Sequence, residues 1–200
     1  MLVIGLVGEK GGGKGTAVRL MSEALPTGTR CVGVRFSDLL RETLTLWHLP
    51  HTRANLQNLS RVMDADFGNG TLAHAMGHRI AGIDADVVVL DGVRWEADRL
   101  LIRSFTKNLL IYITASTHTR YERLCARREN VKEHETSYEQ FLEEEQATSE
   151  RAIPAIGATA DVRIDNEGSL EEFIERIRQC CDQHVRPLIA RAPATASLED

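Results

Sequence analysis

Aromatic residues are scarce in this 200-residue chain, at 5%, so a core has to be built mainly from aliphatic side chains. Long apolar runs are missing too. No stretch of eighteen apolar residues occurs, and Leu2 to Val7 is far too short to cross a bilayer. The N-terminus lacks a basic segment followed by a cleavable apolar stretch, so no membrane association is expected. Cysteine is limited to Cys31, Cys125, Cys180 and Cys181, with no C-x-x-C pair. That pattern points to reduced thiols in a cytoplasmic protein rather than a disulfide framework. Cys180 and Cys181 would face different ways on a helix and read as packing residues. An excess of positive charge is also lacking: the formal net charge is −5, so general nucleic-acid binding is not expected. Of the histidines, only His74 and His78 have helical metal-pair spacing, and no third ligand accompanies them.

What is present is alternation. Short β-branched runs at Leu2–Val7, Cys31–Phe36, Asp86–Leu90, Leu109–Thr114 and Ala160–Ile164 are separated by longer helical patterns. This order predicts an α/β fold with a five-stranded parallel sheet covered by helices on both faces. Two hundred residues make one domain, here taken as residues 1–190 with a disordered polar tail at 191–200. About fifty residues separate the second and third strands. They predict a helical insertion over 37–82, with helices near Asp38–Trp47, Arg53–Asp66 and Gly70–Ile80. A second insertion over 120–150 pairs two helical stretches across the polar segment ENVKEHET. Ser169, followed by Glu171 and Glu172, marks the start of the last long helix.

The densest chemical signal is GEKGGGKGT, from Gly8 to Thr16. It fits G-x-x-x-x-G-K through Gly8, Gly13 and Lys14, and it lies between an apolar strand and a helix. Glycines let successive backbone N–H groups converge on an anion, and the helix that follows presents its positive end to the same anion. Gly8, Gly11, Gly12, Gly13, Gly15 and Thr16 are therefore read as the cradle of a nucleotide triphosphate, with Lys14 on its β- and γ-phosphates. The residue after Lys14 is glycine, and the hydroxyl comes one position later. GKGT in this place resembles adenylate kinase and related nucleoside monophosphate kinases. Their usual proline is Lys10 here, which is either a second cation near the phosphates or a solvated side chain.

Two further segments extend the resemblance. SDLLR after the second strand is similar to the acceptor-site motif of those kinases, with Asp38 a helix N-cap and Arg41 on the acceptor phosphate. VVVLDGVR places Asp91 at the end of the third strand, where a P-loop protein holds Mg²⁺. DGVR also resembles a longer adenylate kinase segment, which implies that Arg94 is the second arginine on that phosphate. TRYERLCARR carries Arg120, Arg123 and Arg127 on one helical face and resembles the opening of a lid. The usual further lid arginines are replaced by Lys132 and His134. Arg53, Asn55, Gln57 and Asn58 either read a base edge or form the wet face of a helix. The C-terminal half, notably ADVRIDNEGSLEEF, is similar to archaeal P-loop proteins related to adenylate kinase and dephospho-CoA kinase.

The resemblance implies a three-layer P-loop kinase fold with a short lid, using ATP and Mg²⁺ on nucleotide substrates. Lys14, Arg123, Arg127 and Asp91 would be catalytic, Asp38, Arg41 and Arg94 would hold the acceptor, and Thr16 and Asp91 the metal. Three readings stay open. One is a nucleoside or deoxynucleoside monophosphate kinase. Another is a kinase acting on a hydroxyl, as dephospho-CoA kinase does, with Asp91 as base. The third is an NTPase switch that signals to a partner. Neither the acceptor's identity nor the oligomeric state is legible.

Overall fold

Five strands run parallel in one sheet: β1 (Leu2–Val7), β2 (Cys31–Arg35), β3 (Val87–Val93), β4 (Asn108–Thr114) and β5 (Val162–Asp165). Their spatial order is β2-β3-β1-β4-β5. The structure is a computed structural model that describes residues 1–68, 70–127, 137–146 and 148–189. The tail at 191–200 and the polar stretch 128–136, with Lys132 and His134, lie outside the described residues.

The strands read as continuous apolar runs because each face of the sheet is buried under its own helices. Leu2, Ile4 and Leu6 of β1 face α1 (Lys14–Ala24) and α10 (Leu170–Cys180), in a cluster with Ala17, Met21, Phe173 and Ile177. Val3 and Val7 face the opposite way. They join Met76 and Ile80 of α4 (Thr71–Ala81), Ile102 of α5 (Glu96–Ser104), and Ile153 and Ile156 of α9 (Ile153–Gly157). Val87 to Leu90 are all fully buried, each contributing about 2 kcal/mol by removal from water. Ser169 caps α10, its Oγ accepting from Glu172 N (3.2 Å) while Glu172 Oε2 accepts from Ser169 N (3.0 Å). Cys180 and Cys181 are unbridged and share one core cluster. Past Cys180 the helix continues as a π-helical turn, Cys181–Val185, which widens the helix at that point. Burial pushes the two thiols up, to about 11 and about 12.

The insertion between β2 and β3 contains the three expected helices, α2 (Phe36–Leu46), α3 (Arg53–Phe67) and α4. Leu40, Leu44 and Leu59 form a small core of their own between α2 and α3. Two boundaries and one unexpected helix depart from the sequence reading. First, α2 starts at Phe36, so Asp38 is not its N-cap but sits one turn in, where Oδ2 accepts from Arg35 N at 3.1 Å. Second, β3 does not stop at Leu90. It runs through Asp91 to Val93, and its pairing with β1 jumps from Leu6↔Asp91 to Val7↔Val93. Gly92, at φ 100°, is the extra residue of this bulge, a backbone conformation that suits glycine. Third, α5 carries no expectation from its short, charged sequence. Buried Asp98 makes it possible by accepting from the N–H groups of Arg94 (2.9 Å) and Trp95 (3.0 Å).

Among the described residues the second insertion contains α6 (Thr117–Arg127), α7 (Tyr138–Glu145) and α8 (Thr148–Arg151). No helix among the described residues is long and apolar enough to cross a membrane.

Candidate active site

The loop from Gly8 to Gly13 joins β1 to α1 at the C-terminal edge of the sheet, the edge where open α/β sheets bind ligands. Its glycines are required sterically. A Cβ on Gly8 would run into the carbonyl oxygen of Ile113, one on Gly12 would meet the same oxygen at 2.9 Å, and one on Gly11 the carbonyl of Arg120 at 2.6 Å. Gly11 and Gly13 have φ of 81° and 104°, in the left-handed region. The loop therefore lies directly on the ends of β4 and α6, with no room for side chains on that side. Gly15 differs: a Cβ there would meet nothing within 4 Å.

Three polar side chains pin this loop from three directions: Glu9 and Asn166, which sequence reasoning missed, and Arg120, which it had assigned to a lid. The Glu9 carboxylate accepts from the Tyr112 hydroxyl and from Thr114 Oγ1 (2.9 Å), both on β4. Asn166, buried just past β5, donates from Nδ2 to the Gly12 carbonyl at 3.0 Å. Arg120 donates to the carbonyls of Lys10 (3.3 Å) and Ala115 (3.0 Å) and forms an ion pair with Glu145 of α7. Lys10 itself pairs with Glu144 of α7 at 3.1 Å, an outcome that neither sequence alternative foresaw. A strand order that brings Glu9 beside β4 cannot be read from local periodicity, so none of these partners carried a local signal.

Lys14 donates from Nζ to the carbonyls of Gly8 (2.7 Å) and Glu9 (3.0 Å). Its ammonium is enclosed by protein even though the residue as a whole is partly exposed. Burial holds it below the usual lysine range. The charge of Asp91 opposes that shift, Arg94 reinforces it, and Glu150 and Glu9 oppose it. The charges of four side chains, on β3, the β3–α5 turn, α8 and the loop itself, are therefore felt at the loop lysine.

Asp91 and Thr16 approach the same loop from β3 and α1, and within the described residues neither side chain makes a hydrogen bond to protein. Their free oxygen donors fit Mg²⁺, which takes one or two protein oxygens and keeps several waters.

The expected acceptor arginines follow the ends of the adjacent strands β2 and β3. Arg41 donates to Ser37 Oγ (2.7 Å) and Asp38 Oδ1 (3.5 Å), so Asp38 steadies Arg41 as well as the start of α2. Arg94 forms an ion pair with Glu150, a buried carboxylate that the sequence had not singled out. The expected lid arginines do not act as one row. Arg120 is buried and structural. Arg123 donates to the carbonyls of Asn166 (2.7 Å) and Gly168 (3.3 Å) at the β5–α10 loop. Arg127 ends α6, and its side chain lies outside the described residues. His74 and His78 approach each other at 3.2 Å, and no group of three metal-ligating side chains occurs among the described residues. On α3, Asn55 donates to the carbonyl of Pro50 at 2.8 Å, which favours a structural role for it over reading a base.

A glycine loop of this form, on a parallel sheet of this order, defines a P-loop domain of the kinase-like α/β class. The profile of an AAA domain matches residues 4–151. Among relatives, a UPF0200 protein of Methanoculleus marisnigri is 34% identical over 185 residues, covering 89% of this chain and 94% of that one. A UPF0200 protein of Hyperthermus butylicus is 28% identical, covering 86% and 89%. The chain belongs to the AAA-domain family and to the UPF0200 proteins. Among solved structures, shikimate kinase from Bacteroides thetaiotaomicron superposes with a TM-score of 0.58 at 13% identity, covering 94% of this chain and 98% of that one. Shikimate kinase from Acinetobacter baumannii, in complex with shikimate, gives a TM-score of 0.52 at 16% identity, covering 90% and 92%. At such identities the likeness establishes the P-loop kinase fold alone.

Proposed function

We propose that the protein is an ATP-dependent phosphotransferase that moves the γ-phosphate of MgATP to a nucleoside or deoxynucleoside monophosphate. The observation that carries the phosphotransferase reading is the loop itself: glycines with no room for a Cβ, an enclosed Lys14 at their end, and Asp91 beside it with unengaged oxygens. The amides of Gly8, Gly11, Gly12, Gly13 and Gly15 cradle the phosphates, while Lys14 leaves its carbonyl partners for the β- and γ-oxygens. Thr16 and Asp91 would hold Mg²⁺, which neutralises charge on the phosphate oxygens when bound. Arg41, steadied by Asp38, and Arg94 receive the acceptor's anionic group. Arg123 and Arg127 close over the nucleotide from the lid side. Acceleration then comes from positioning and from charges already in place.

A second reading, transfer to a hydroxyl, is favoured by one observation: Arg94 already has a carboxylate partner in Glu150, which reduces its capacity for a further anion. Incubation with MgATP and a panel of nucleoside and deoxynucleoside monophosphates, dephospho-CoA and shikimate, followed by assay of ADP and product, separates the two. Acceptor-dependent ADP formation is expected. ADP release at one rate whatever is added would remove both readings and leave an NTPase. Arg41→Ala should weaken use of a phosphate-bearing acceptor while ATP binding is retained.

A further inference from the structure

Glu150 is the one buried side chain among the described residues with a polar atom lacking a partner. The residue is 7% exposed, one carboxylate oxygen is paired with Arg94, and the other, Oε2, is buried with no hydrogen bond. An unpartnered carboxylate oxygen is costly, and native structures keep such atoms where a ligand or a chemical step uses them. The location fits a use of that kind. Glu150 lies close enough to Lys14 for its charge to be felt at the loop ammonium, together with Asp91 and Arg94. The neighbouring residues Ile153 and Ile156 pack on the sheet face shared with α4 and α5, opposite the face covered by α1 and α10. Glu150 therefore lies next to elements on the sheet face of the helical insertion, the side from which an acceptor would enter. Next to a polyanionic triphosphate, a bare carboxylate oxygen is repulsive unless a hydrogen-bond donor stands between them.

We propose that Glu150 receives the attacking group of the acceptor, and that this group is an O–H. The inference rests on the phosphotransferase reading and chooses its hydroxyl branch. Arg94 holds one oxygen of Glu150 and so orients the carboxylate, and Oε2 accepts the hydrogen bond of the acceptor hydroxyl. As that oxygen forms its bond to the γ-phosphorus, the bond from phosphorus to the β,γ-bridging oxygen breaks. ADP leaves with the electron pair, and the hydroxyl proton passes to Glu150 Oε2. A monophosphate acceptor, which attacks through an anionic oxygen, has no such proton to give. In this arrangement Asp91 keeps the metal role and is not the base.

The test compares the wild-type protein with Glu150→Gln and Glu150→Asp, using radiolabelled MgATP. Dephospho-CoA, adenosine and water serve as O–H acceptors, and AMP, CMP and dTMP as phosphate acceptors. The glutamine variant should lower kcat for O–H acceptors, slow hydrolysis included, by about a hundredfold or more. Its affinity for a fluorescent ATP analogue should stay within about twofold, and the aspartate variant should recover part of the lost rate. Should the glutamine variant fail to fold, the aspartate variant must still show reduced kcat at unchanged ATP affinity. Full hydroxyl transfer in a folded variant would overturn the role of Glu150, as would wild-type transfer to the monophosphates alone. Wild-type protein that binds ATP and passes phosphate to water alone, or to nothing, would remove the phosphotransferase reading itself and the role of Glu150 with it.

Discussion

Replacing Gly11 and Gly15 separately by alanine should change stability in opposite directions, although both glycines belong to one motif. At Gly11 the backbone is left-handed and the new Cβ would lie 2.6 Å from the Arg120 carbonyl oxygen and 3.1 Å from its carbonyl carbon and Cα. A left-handed alanine costs about 1–2 kcal/mol. Overpacking against backbone that cannot rotate away adds about 1–3 kcal/mol, so Gly11→Ala should lose about 2–5 kcal/mol. Gly15 is the second residue of α1, and its Cβ would enter open space. There alanine restricts the unfolded chain without strain, and Gly15→Ala should gain up to about 1 kcal/mol. Urea denaturation followed by circular dichroism measures both. Binding of a fluorescent ATP analogue should fall for Gly11→Ala, because the loop can only accommodate the Cβ by moving off α6. A Gly11→Ala midpoint within error of the wild type would refute the steric argument, and so would a Gly15→Ala variant as unstable as it.

Asp98 has its carboxyl pushed up to about 6 by burial, against an ordinary value of 3.8. A raised carboxyl pKa means the folded state binds the proton more tightly, so its contribution is full below about pH 4 and is lost as pH rises through about 6. Relative to Asp98→Asn, the wild type should therefore lose about 3 kcal/mol between those limits, measurable as the difference in urea midpoints across pH. Arg120→Ala leaves Glu145 without its ion-pair partner and releases the Lys10 carbonyl. A loss of about 3 kcal/mol is expected by chemical denaturation, and a loss under about 1 kcal/mol would mean that solvent replaces Arg120. Asn166→Ala leaves the Gly12 carbonyl unpaired and should cost about 1–3 kcal/mol. Calorimetry should show ATP bound more weakly, because the loop is no longer held from β5.

Legibility followed the range of the interactions. The strands stood out because apolar runs with turns between them reflect burial on two faces. The glycine loop stood out because its glycines, lysine and hydroxyl fall within nine consecutive residues, Gly8 to Thr16, although the backbone they must clear belongs to Ile113 and Arg120. The cap at Ser169 is equally local. By contrast, α5 is short and charged, and it depends on Asp98 reaching back to the bulged end of β3. The start of α2 was misplaced by two residues because Asp38 satisfies the backbone from inside the helix.

The sequence by itself determined the α/β class, the glycine loop between β1 and α1 and the lysine at its end, since each is written in short stretches of consecutive residues. Only the tertiary structure decided which charges meet. Arg120 and Lys10 are taken by α7, Arg123 by the β5–α10 loop, and Arg94 by Glu150, 56 residues further along the chain. Opposite charges pair according to distance in space, and the strand order that sets those distances is not written in any one stretch of residues.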